Sequence, residues 1–208
     1  MQHYLDGGYK MKFDYKEYFE QIKPKNEIEV YNRFIFAFCS VHTTWNANIK
    51  GYELLKDKYH THKQSLGKII KNSGLGLTKG RTKSIYEFTL KFISNPEKYE
   101  KKWYESWQRY ATRLQKDIYG LGFAKTRFAI EMLYPNTARV CCVDTHIIQW
   151  ASQSPKKMNK RLYERIEFGW LSHSKQLGVN PVEARWKWWD NKQGYDNPRY
   201  WSYVLEED

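Results

Sequence analysis

The chain has 208 residues, enough for one compact unit or two small lobes sharing a core. Its 35 Lys and Arg against 23 Asp and Glu leave a net charge of +12, which favours a polyanionic partner, and an aromatic content of 17% excludes a disordered chain. No run is apolar enough to span a membrane, and the N-terminus, with Asp6, Lys10 and Lys12, lacks the apolar stretch of a signal peptide.

Residues 1–12 carry Gly7-Gly8 and no periodicity, which predicts a loose arm. Phe13 to Ile22 reads as a short helix closed by Pro24. Glu27 to Val41 is the strongest helix. Tyr31, Phe34, Ile35 and Phe38 fall at i, i+3, i+4 and i+7, and little of the remainder is polar, so it should lie centrally. Asn46 to Lys58 follows, with Ile49, Tyr52 and Leu55 on one face. Lys68 to Leu77 contains Gly74-Leu75-Gly76, read as a connector ahead of the basic run from Lys79 to Lys83. A helix over Thr82 to Ile93 carries Ile85, Phe88 and Phe92. Asn95-Pro96 starts the next helix, with a core stripe of Tyr99, Trp103, Trp107, Tyr110 and Leu114. Beyond Trp150, a basic cluster from Lys156 to Arg161 heads a helix with Met158, Leu162 and Ile166 inward. Asn180-Pro181 opens a last helix through Val182, Trp186 and Trp189, and Gly194 and Pro198 interrupt the tail. Strand alternation and internal repeats are lacking, so the fold class is all-α with nine or ten helices. Cys39, Cys141 and Cys142 lie in apolar runs and form no disulfide framework; they read as buried free thiols in a reducing compartment.

The stretch from Tyr119 to Trp150 organises the chain. Leu114 and Ile118 lead at helical spacing into Gly120-Leu121-Gly122, and Phe128, Ala129 and Met132 follow it. That pattern predicts helix, hairpin, helix. Two glycines permit a sharp turn, and amides at such a turn beside a helix N-terminus suit a phosphate. The apolar run Val140-Cys141-Cys142-Val143 then delivers a single acid, Asp144, to the head of another helix, Asp144-Thr145-His146. Together, Gly-x-Gly before a helix and Val143-Asp144-Thr145-His146 after it resemble the helix-hairpin-helix DNA glycosylases, which include endonuclease III, the adenine glycosylase for mispairs and the alkyl-purine glycosylases. The resemblance covers roughly residues 27–151.

It implies a two-lobed, all-α fold with a central helical bundle. Residues 27–151 would form the core domain, and residues 1–26 plus 152–208 a second lobe, with the DNA cleft between. Double-stranded DNA is the implied partner, and a monomer in the cytoplasm beside the nucleoid, or in another reducing DNA-containing compartment, the implied setting. Some relatives hold an iron–sulfur cluster on four C-terminal cysteines. No cysteine follows Cys142, so no iron–sulfur cluster, metal or other cofactor is expected.

An enzyme acting on a base within a duplex has to extrude it. The resemblance assigns the backbone grip to Gly120, Leu121, Gly122 and Ala124, with Lys125 and Arg127 beside them. His42, after the central helix, stands where relatives fill the gap left by the extruded base; glutamine or asparagine is commoner there. Trp45 and Asn46 are the possible base pocket. Asp144 is the catalytic candidate: a carboxylate there stabilises the cationic sugar of glycosidic cleavage and can activate a water, although an N-cap aspartate has the same sequence signature. Lyase-type members place a lysine two residues beyond the second hairpin glycine. Here Ala124 falls there and Lys125 is next, about 100° around the helix. The expected reaction is therefore monofunctional hydrolysis, reversed if the hairpin shifts by one residue. A base-modifying transferase on the same scaffold and a non-catalytic DNA-binding protein remain as alternatives.

Overall fold

The computed structural model describes residues 13–58, 60–155, 158–193 and 203–206. The arm over residues 1–12, Lys156 and Lys157 of the basic cluster, and Gly194 and Pro198 lie outside them. Ten α-helices run through the described residues: α1 (Tyr15–Gln21), α2 (Glu27–Cys39), α3 (Trp45–Leu55), α4 (Lys63–Ser73), α5 (Thr78–Ser94), α6 (Trp107–Asp117), α7 (Phe123–Leu133), α8 (Thr145–Trp150), α9 (Lys160–Gln176) and α10 (Pro181–Gln193). Two short 3-10 segments, Pro96–Tyr99 and Tyr203–Leu205, complete the order, and no strand occurs among the described residues. The all-α expectation holds. None of these helices is long and apolar enough to cross a membrane.

Helix α2 is central, as its periodicity implies. Asn26 caps it by accepting from the Glu29 amide at 2.9 Å, and every residue from Tyr31 to Cys39 is buried. It touches α3, α5 and α7, and Phe34, Phe38 and Tyr31 meet Phe88 of α5. The larger hydrophobic cluster runs from α1 through α2 to α7 and takes in Val182 and Trp186 of α10. A smaller one joins Cys141, Val143, Ile147 and Ile148 to Ile166 and Trp170 of α9. The two ends of the chain meet: Phe19 of α1 packs edge-on against Trp186 at 4.7 Å, and the Tyr15 hydroxyl donates to Asp190 at 2.9 Å. All three cysteines are buried free thiols; burial raises the Cys39 and Cys142 thiols to about 12.

Three stretches depart most from their sequence-based reading. The helix expected from Thr82 starts at Thr78, so the whole basic run from Lys79 to Lys83 is helical. The stretch from Lys68 to Leu77 holds the end of α4, which runs from Lys63 to Ser73 with Gly74 as its left-handed cap, so the connector read there begins only at Gly74. The single helix expected from Asn95 is broken. Pro96–Tyr99 forms one short 3-10 turn, and α6 begins only at Trp107, where Ser106 accepts from the Arg109 amide. The intervening loop is held by Arg113, which pairs with Glu105 and donates to the Lys98 and Glu100 carbonyls. Trp103 consequently leaves the expected core stripe and is 92% exposed, while Tyr99, Tyr110 and Leu114 remain buried.

Candidate active site

The hairpin joins α6 to α7. Gly120 adopts φ +91°, and a Cβ there would overlap the Ser84 side chain of α5, so this position needs glycine twice over. Gly122 is different. Its backbone is extended and nothing lies within 4 Å of where a Cβ would stand. It precedes α7, whose first-turn amides receive no side-chain cap, so the hairpin presents open donors. Leu121 is buried and offers only its backbone; Ala124 is half-buried against the larger cluster.

Arg127 is not part of that open face. Its Nε donates to both Glu167 oxygens at 2.9 Å, its guanidinium lies 3.3 Å from the Phe123 ring centroid, and it is 2% exposed. Glu167 also accepts from the Cys141 amide at 3.0 Å. The expected phosphate ligand is instead an internal tie between α7, α9 and the segment leading to Asp144. The positive charge is cancelled locally, which a charge count along the sequence cannot show.

Asp144 does two things. Oδ1 accepts from the Ile147 amide at 3.0 Å, which caps α8, and Oδ2 accepts from Arg185 Nη1 at 3.0 Å. Capping thus engages one oxygen and the Arg185 ion pair the other. Arg185 comes from α10 and also donates through Nε to Glu131 at 2.7 Å. Burial pushes Glu131 up to about 7, against the pull of Arg185 and of the Cys142 amide at 2.7 Å. Burial also works against the Arg185 charge, but Glu131 and Asp144 hold it above the usual arginine range. The Asp144 carboxylate is thus oriented from two sides and remains one-fifth exposed.

A cavity of about 260 Å³ opens beside it. Its walls combine Trp45 and Asn48 of α3, Lys125 and Phe128 of α7, Cys142, Asp144 and His146, and Arg185 and Trp189 of α10. Trp45 and Trp189 approach at 5.9 Å, and His146 stands edge-on to Trp189 at 6.3 Å. The rim from Ser40 to Thr44 is fixed by Arg81, buried in α5. It donates to the carbonyls of Phe38, Val41 and Leu75 and so satisfies the end of α2.

Lys125 lies in this cavity, contrary to the expectation that it points elsewhere. The 100° rotation is right, but the face was misassigned. Lys125 and Phe128, three residues apart, share the cavity face of α7, while Ala124 packs against the core. Lys125 Nζ sits 5.3 Å from the Phe128 ring centroid and makes no ion pair or hydrogen bond among the described residues. Of the two expected pocket residues, Trp45 lines the cavity and Asn46 does not. Asn46 is exposed, one step round α3 from Trp45, and Asn48 occupies the inward position. His42 is exposed in the turn between α2 and α3, with φ +46°, two residues after Ser40 and directly before Thr43, both of which line the cavity. Asn48, Arg185 and Trp189 were missed by sequence reasoning. The Trp45–Asn48 spacing of three was a usable signal; α10 carried none. Among the described residues, no group of three His, Cys, Asp or Glu could hold a metal ion.

No family model and no curated protein sequence matches the chain. Solved structures do. The 8-oxoguanine DNA glycosylase of Thermotoga maritima superposes with a TM-score of 0.73 at 14% identity, covering 86% of this chain and 88% of that one. The 8-oxoguanine DNA glycosylase of Methanocaldococcus jannaschii gives 0.74 at 18% identity, covering 86% and 85%. The glycosylase/lyase from the same organism, in complex with a 15mer DNA containing 8-oxoguanine, gives 0.70 at 18%, covering 86% and 87%. The chain has the helix-hairpin-helix fold of the 8-oxoguanine DNA glycosylases.

Proposed function

We propose that this protein is a DNA glycosylase that extrudes a damaged base and removes it with Lys125 as nucleophile, and that it then cleaves the strand as a lyase. The observation that carries the reading is the shared cavity, which Lys125 and Asp144 line together with the aromatic rings of Trp45, Phe128 and Trp189. The Lys125 nitrogen attacks C1′ of the extruded nucleotide. The C1′–N bond breaks and its electron pair leaves with the base. Asp144 stabilises the cationic sugar and accepts the proton shed by the attacking nitrogen. Opening of the sugar ring gives an iminium, loss of a C2′ proton expels the 3′-phosphate, and water releases the enzyme. These steps use no cofactor.

A duplex DNA partner is supported by the +12 charge and the uncapped hairpin amides at Gly122. It is also supported by the likeness to a structure solved with DNA. 8-Oxoguanine is the base named for each structural neighbour and is the substrate we assign. The same reading takes residues 27–151 as the core and 1–26 with 152–208 as the second lobe. The cavity supports that division, because Arg185 and Trp189 come from the C-terminal part and the other walls from the core.

Borohydride trapping on an 8-oxoguanine duplex tests the reading. Wild type should give a covalent adduct that Lys125→Gln abolishes. Asp144→Asn should cut base release roughly 100-fold or more while duplex binding persists. Base release by Lys125→Gln at the wild-type rate, seen as alkali-labile sites without trapping, would instead establish the water-using reaction that Ala124 suggests.

A further inference from the structure

Asn48 is 5% exposed, lines the cavity, and its Oδ1 has no hydrogen-bond partner among the described residues. A buried polar atom left unpaired is disfavoured and calls for an explanation. Several of the other polar side chains around it are committed. The Ser40 hydroxyl donates to the Ala37 carbonyl at 2.8 Å, Thr43 donates to the Val41 carbonyl at 2.9 Å, and Thr44 caps α3 through the Ala47 amide. Asp144 and Arg185 hold each other. Asn48 sits one turn beyond Trp45, on the same face of α3, so its amide and an aromatic wall look into the same space.

We infer that Asn48 is the group that reads the edge of the extruded base. The inference rests on the glycosylase reading above. An amide offers one carbonyl acceptor beside one NH2 donor, and a half-turn exchanges the two. It pairs bidentately with a base edge that presents an N–H next to an acceptor. Such an edge exists where a ring nitrogen is protonated beside a carbonyl, as at N7 and O6 of 8-oxoguanine. The corresponding edge of guanine carries two acceptors, N7 and O6. Against that edge Asn48 can donate but its own oxygen stays unpaired. The amide therefore selects for a protonated edge and against the unmodified purine.

The test compares wild type, Asn48→Ala and Asn48→Leu on three readouts: kcat/KM for an 8-oxoguanine duplex, affinity for a duplex with a tetrahydrofuran abasic analogue, and Tm. Ala leaves the cavity open and Leu keeps its volume, so a loss shared by both isolates the polar contact from shape. We expect kcat/KM to fall roughly 10- to 100-fold in both variants. Abasic affinity should stay within about twofold and Tm should not fall, because no existing hydrogen bond is lost. Unimpaired excision by either variant, or an equal loss of abasic binding, overturns the assignment. A wild type that releases no base from any duplex overturns the glycosylase reading, and this inference with it; a wild type that does release base while the variants match it overturns this inference alone.

Discussion

Two glycines two residues apart serve different ends. Gly120 is demanded by the fold, through its φ of +91° and the closeness of Ser84. Gly120→Ala should destabilise the protein by about 1–3 kcal/mol, read as a lower denaturation midpoint. Gly122 has room and an ordinary backbone. Gly122→Ala should leave the midpoint unchanged, yet weaken duplex affinity by crowding the amides proposed to meet a phosphate. If Gly122→Ala bound duplex as tightly as wild type, the hairpin would lose its assigned role. Asp144 shows the same division within one side chain, since capping occupies Oδ1 and Arg185 engages Oδ2.

Between elements, buried charge does the tying. Arg127 and Glu167 join α7 to α9 with both side chains 3% exposed. Removing one partner leaves an uncompensated buried charge, so Arg127→Ala should cost about 3–5 kcal/mol, whereas replacing both by apolar residues of similar volume should recover most of that. Chemical denaturation of the two single variants and the double variant measures it. The α1–α10 contact carries a pH signature. Burial pushes Asp190 up to about 7, opposed by the hydrogen bond from Tyr15 and by Arg185. A carboxyl whose folded value is raised above 3.8 contributes stability below about pH 4 and loses it as pH rises through 7. Asp190→Asn should therefore flatten the Tm profile between pH 4 and 7, matching wild type at the acid end and exceeding it near pH 8. A wild-type Tm that rises steadily across this range, unchanged by the substitution, would contradict the assignment.

At the scale of the molecule, the +12 charge is only partly free. Arg33, Arg81, Arg127 and Arg185 are buried in the interior, so the proposed duplex binding has to rest on the exposed cations. Affinity should fall linearly on a log–log plot against salt, by about 0.9 units per phosphate neutralised. Arg127→Gln should leave that slope unchanged if it folds. A reduced slope would place Arg127 on the DNA. The cavity belongs to the same scale, because its walls come from α3, α7, the segment before α8, and α10.

Local pattern determined most of the secondary structure and the position of the hairpin. Tyr31, Phe34, Ile35 and Phe38 mark α2 by spacing alone, and Asp144 stands at a helix start because its side chain closes back on the Ile147 amide, three residues away. Such signals are short-range and survive in the linear string. What only the tertiary structure decided is which partner covers each face. Arg127 reads as a free cation until Glu167 arrives from 40 residues further on, and Lys125 reads as misdirected until Phe128 and Asp144 define the cavity side of α7. Arg185 lies 41 residues beyond Asp144 on a helix whose sequence shows no catalytic pattern. Helical period sets the angle between neighbouring side chains, but helix crossings set where that angle points.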